Sequence, residues 1–84
     1  MGVRLHYFAR PIHRRDGRLE GGEALHFLGA LDAEEGGRLL SRMVDGVVVY
    51  QQMADPENDI WEEPEILAVH GVGEGVILAA LQAA

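Results

Sequence analysis

Residues 3–9 alternate, with Val3, Leu5, Tyr7 and Ala9 on one side and Arg4, His6, Phe8 and Arg10 on the other, the period-two pattern of a half-buried strand. Pro11 lacks an amide hydrogen, so this strand is expected to end there or to lie at an edge. Residues 13–18, His-Arg-Arg-Asp-Gly-Arg, hold no apolar side chain and contain an Asp-Gly turn signal, which predicts an exposed basic loop or hairpin tip. From Glu23 the spacing changes: Ala24, Leu25, Phe27, Leu28 and Leu31 fall three and four apart, as on one face of a helix. A second helix is predicted from Asp32, capped by its own carboxylate and by Glu35 in a capping box, with Leu39, Leu40, Met43 and Val44 buried and Gly46 ending it. Gly36-Gly37 inside it costs about 1 kcal/mol per glycine, so either the helix begins late or something packs closely there.

The β-branched run from Val47 to Gln52 predicts a buried strand, and Glu65 to His70, with Ile66 to Val69 at its centre and Gly71 ending it, a third. Between them, residues 54–64 read as a proline-bounded loop, and residues 76–83, rich in alanine and leucine, read as a short C-terminal helix. The pattern as a whole predicts one α+β domain over residues 1–84, in the order β-α-α-β-β-α, with helices packed on one face of a three-stranded sheet.

Composition narrows the function classes. With no cysteine among 84 residues, disulfides, thiolate metal sites and cysteine nucleophiles are excluded. The start of the chain lacks an apolar signal core and the apolar run at 76–81 is far shorter than a membrane span, so a cytoplasmic location without membrane contact is expected. Ser41 is the sole serine and there is no threonine, which leaves little for nucleophilic catalysis, and no catalytic residue is assigned.

Glu23-x-x-His26 has a metal-ligand spacing, but carboxylate-bridged iron sites need two such motifs and further glutamates. The four histidines lie in different predicted elements, so no metal is expected. Gly71-Val72-Gly73-Glu74-Gly75 matches no phosphate-loop spacing and places Glu74 where it would repel phosphate, so no nucleotide or other cofactor is expected either.

Charge is distributed unevenly. Residues 1–18 carry five arginines against one aspartate, and residues 19–84 carry two arginines against thirteen acids. Arg10, Arg14, Arg15 and Arg18, with His13, Tyr7 and Phe8, could touch nucleic acid, but the net charge of −7 opposes it and direct nucleic-acid binding is not expected.

Residues 55–65 contain six acids, Asp55, Glu57, Asp59, Glu62, Glu63 and Glu65, and no base, with Ile60 and Trp61 among them. A run of acids is often only a solvated face. A tryptophan inside one suggests an apolar anchor ringed by carboxylates, suited to an arginine- or lysine-rich surface. These eight residues are therefore the candidate partner-binding set.

The expected function is a protein–protein interaction module whose partner is a larger protein with a basic surface. In its sharpest form it is an inhibitor, a nucleic-acid mimic that places carboxylates where phosphates would go. Phage-type anti-restriction and anti-CRISPR inhibitors resemble the chain in size and acidity, a likeness of composition alone. The alternative is an accessory or structural subunit of a homo- or hetero-oligomer assembled through apolar helix faces.

Overall fold

The opening alternation runs on past Pro11 in the computed structural model, which describes residues 2–72, and forms one long strand, β1 (Arg4–Arg15). Pro11 is tolerated for a local reason. In an antiparallel strand a residue's N–H and C=O point to the same neighbour, and the Pro11 carbonyl accepts the Gly22 amide at 2.8 Å. The ring nitrogen thus faces the side where β2 (Arg18–Gly21) has ended and β3 (Leu25–Phe27) has not begun, so no ladder bond is lost.

The Asp-Gly signal is borne out. Arg15 lies opposite Arg18, and Asp16 (φ 52°) and Gly17 (φ 77°) both adopt the left-handed conformation that a two-residue hairpin turn requires.

The helix expected from Glu23 does not form. Residues 22–24 are irregular and Leu25–Phe27 pairs with Tyr7–Ala9, so Leu25 and Phe27 follow the period of two and the sheet overrides the helical spacing. Among the described residues one α-helix forms, α1, spanning Ala30–Leu40. Gly29 stands at its N-cap without a side-chain cap, Asp32 sits in the first turn near the positive end of the dipole, and Glu35 pairs with Arg38 instead of reaching back. Gly46 does not end this helix but opens the next strand.

Close packing accounts for the two mid-helix glycines. A Cβ on Gly36 would overlap the Phe27 ring, and one on Gly37 would overlap Val49 Cγ2. Leu40 and Val44 contribute to the core as expected, whereas Leu28 and Leu31 are 95% and 81% exposed and Leu39 and Met43 also face solvent.

β4 (Gly46–Asp55) is the other long strand, followed by a 3₁₀ turn (Pro56–Asn58), β5 (Ile60–Trp61) and β6 (Glu65–Gly71). β1 and β4 pair from Arg4↔Ala54 to Ile12↔Gly46. β2 and β3 share the outer edge of β1, and β5 and β6 share that of β4. Among the described residues the architecture is therefore a six-stranded antiparallel sheet with one α-helix, which corrects the expected three-stranded sheet in β-α-α-β-β-α order. The expected helix over residues 76–83 and the end of the glycine run lie outside the described residues.

The core has two sides because β4 is covered on both. Ala9, Val47 and Val49 of the sheet are buried against Ala33 of α1, with Phe27, Leu40 and Leu67 packed on them, while Ile12, Val48 and Tyr50 are buried on the opposite side with Phe8, Leu19, Ile66 and Val69. Ile12, Val47, Val48 and Val49 are wholly buried, each worth at most about 1.5–3 kcal/mol of apolar burial.

Candidate functional site

The acidic segment is not a free loop. β4 continues to Asp55, and Pro56, with its fixed φ, opens the 3₁₀ turn, closed by the Asp59 amide on the Pro56 carbonyl at 3.2 Å. Asp59 then takes a left-handed conformation (φ 54°), which aspartate tolerates, and the chain returns as β5 with Asp55↔Ile60 and Ala54↔Trp61. Two more bonds extend the pairing: the Glu62 amide donates to Met53 O at 3.0 Å, and the Gln52 side-chain amide donates to Glu62 O at 2.6 Å.

The eight candidate residues part company in this geometry. Asp55 is only 3% exposed, and its carboxylate accepts the Asn58 side-chain amide at 2.7 Å. That hydrogen bond, with weaker help from backbone amides, outweighs the cost of burial and holds the Asp55 carboxyl below its ordinary value of 3.8. Asp55 is thus a structural acid. Glu65 lies on β6 and accepts Gln51 Nε2 at 3.2 Å.

Ile60 and Trp61 are 45% and 49% exposed. As neighbours on a strand they point to opposite sides of the sheet, so they do not form one apolar patch. Trp61 shares a side with Ala54 and Arg4, and its indole N–H donates to Asp59 Oδ1 at 3.0 Å. Glu57, Asp59, Glu62 and Glu63 are exposed in the same segment. A cavity of ≈ 340 Å³ adjoins this end, lined by Gly2, Arg4, His6, Asp55, Pro56 and Glu57.

One cluster escaped the sequence reading. His6 and Phe8 of β1, His26 of β3 and Tyr50 of β4 share the side of the sheet opposite α1. Phe8 stacks between His26 and Tyr50 at 5.1 and 5.2 Å, and His6 Nδ1 lies 3.2 Å from His26 Nε2. Burial pushes the Tyr50 hydroxyl above its usual value, opposed by the Arg10 guanidinium. The alternation of β1 already grouped His6 with Phe8, but assigning His26 to a helix hid the contact.

Glu23 is in irregular chain and His26 on a strand, so the Glu-x-x-His spacing does not lie on one helical face. Among the described residues no three histidine, aspartate or glutamate side chains gather as a metal site. The Ser41 hydroxyl donates to Arg38 O at 2.6 Å, at the C-cap of α1. Also among the described residues, no helix is long and apolar enough to cross a membrane. Comparison with protein-family models, with curated proteins and with solved structures gives no match.

Proposed function

We propose that this chain is a small cytoplasmic interaction module that docks on a basic surface of a larger protein through Trp61 and the exposed carboxylates around it. The observation that carries this reading is the state of Trp61: half exposed, yet held by strand pairing with Ala54 and by its indole bond to Asp59. An aromatic fixed before binding loses little conformational freedom on docking, which makes it a good anchor. Glu57, Asp59, Glu62 and Glu63 supply the charge that steers an arginine- or lysine-rich surface toward it. Nucleic-acid-binding proteins present such surfaces, and on one of them these carboxylates would occupy phosphate positions, making the module an inhibitor.

The test compares capture of partners from the native host by the wild-type chain, by Trp61→Ala and by Glu62→Arg with Glu63→Arg. Trp61→Ala should cost about 2 kcal/mol or more of binding with the fold retained. The charge reversals should slow association and flatten its salt dependence. Capture by both variants equal to wild type refutes the reading. A second reading, an accessory subunit joined through apolar surface, is favoured by the near-complete exposure of Leu28 and Leu31. It predicts binding insensitive to salt and lost in Leu28→Ser with Leu31→Ser.

A further inference from the structure

Strand β1 outruns its partner. β4 accompanies it only to Ile12, opposite Gly46, and His13, Arg14 and Arg15 continue with Glu20, Leu19 and Arg18 across from them as a two-stranded ribbon. The ribbon is stiff for its size, because its turn uses two left-handed residues in sequence and its base is tied by the Arg14 amide donating to Asp45 Oδ2 at 2.7 Å. Arg14, Arg15 and Arg18 are exposed on it. Among the described residues the guanidinium groups of Arg14 and Arg18 have no partner, and Arg15 meets Glu20 only at 3.9 Å with both side chains in water, a pair of little worth.

The opposite end of β1 has the complementary chemistry. Arg4 lies across from Ala54, and Ala54 from Trp61, so the indole and its carboxylates sit where β1 begins. At about 3.3 Å per residue, the twelve residues of β1 separate the two ends by roughly 35 Å. That is several Debye lengths at physiological salt, about 8 Å each, so the two charge sets do not neutralise one another within a single molecule. Two molecules can bring them together.

We infer that the arginine ribbon of one copy docks on the Trp61 end of the next, guanidinium groups lying over the indole face and forking onto the carboxylates exposed at that end, Asp59, Glu62 and Glu63. Arginine suits both contacts, since its planar cation stacks on aromatic faces and pairs with carboxylates through two donors. This rests on the docking role proposed for Trp61 and names a second copy of the chain as one partner. The contact is heterologous, one end against the other, so each pair keeps a free ribbon and a free Trp61 end and can grow into open chains or close into a ring.

Sedimentation velocity on the full chain tests the inference, with circular dichroism checking that each variant is folded. For the wild type, mass should rise with concentration at about 0.05 M salt, and apparent association should weaken about tenfold or more at 1 M salt. Arg14→Gln, Arg15→Gln and Arg18→Gln together should leave a folded monomer, as should Trp61→Ala with Glu62→Gln and Glu63→Gln. An equimolar mixture of the two variants is the sharpest arm: one intact ribbon and one intact Trp61 end should form a 1:1 pair and stop there. A wild type that stays monomeric to about 1 mM at low salt overturns the inference. Association retained by either variant alone, or a mixture that never pairs, overturns it too. If the chain stays monomeric while a foreign partner is captured and lost in Trp61→Ala, the docking role survives and self-association falls. If the chain self-associates and captures nothing else, the foreign partner falls instead.

Discussion

The two ends of the molecule solve the same problem with opposite charge. At the ribbon the chain reverses through left-handed Asp16, followed by Gly17, and at the other end through left-handed Asp59, followed by Ile60. The first turn is closed by strand register, and the one side-chain bond nearby, Asp45 accepting the Arg14 amide, lies at the base of the ribbon and not in the turn. The second needs side chains as well: Asn58 on Asp55, Trp61 on Asp59, Gln52 on the Glu62 carbonyl. A glycine after the aspartate makes a turn self-sufficient, whereas a β-branched residue there leaves it dependent on bonds from its surroundings. The basic turn is therefore built by its backbone, whereas the acidic one adds polar side chains to its backbone bond.

Substitutions can break this comparison at several strengths. The largest effect should come from Ile12→Ala, which hollows the buried foot of the ribbon where β4 begins; a loss of about 2–5 kcal/mol is expected in denaturant unfolding. Gly17→Val comes next. Nothing lies within 4 Å of a Cβ there, so its cost is conformational alone, about 1–2 kcal/mol for a β-branched residue at positive φ, read from the unfolding midpoint.

The acidic end should show its dependence on side chains through pH. Because the Asp55 carboxyl is held below its ordinary value in the folded state, its stabilisation is complete above that value and is lost as pH falls through the lowered one. Wild-type melting temperature should thus drop on acidification below about pH 4, and Asp55→Asn should remove part of that slope while leaving the basic end's response to Gly17→Val unchanged. The smallest effect belongs to Leu28→Ala, which touches neither end and whose side chain is 95% exposed; a change within about 0.5 kcal/mol is expected, although its spacing alone places it in a core.

How much of this was legible follows from which residues offered a single reading. Val47 to Val49 is a β-branched run that leads into Tyr50, and Ile66 to Val69 is a short apolar run ended by glycine; both read as strands and the strands are there. Asp16-Gly17 specifies its turn without help from the rest of the chain. Leu25-His26-Phe27 satisfies both periods at once, since Leu28 and Leu31 complete a helical stripe, and only the unpaired edge of β1 decides in favour of a strand. Pro11 reads as the end of β1 or as the mark of an edge strand, because the sequence says nothing of the gap between β2 and β3 that accommodates it.

At the candidate site, the sequence left open whether Trp61 folds back on the core, and the ring is half exposed. The burial of Asp55 and the opposed directions of Ile60 and Trp61 were invisible while residues 54–64 read as a loop, because a loop carries no alternation to apply.

Gly36 and Gly37 bear on the order of events in folding. Each lowers the helical preference of its segment by about 1 kcal/mol, and an eleven-residue helix is already marginal when isolated. A peptide of residues 30–40 alone should be essentially coil. The hairpin of β1 and β2, whose contacts are close in sequence and whose turn is preformed, can assemble early, while α1 must wait until Val49 and Phe27 are in place to receive its bare face. In this chain the helix is a product of sheet assembly, not a seed for it.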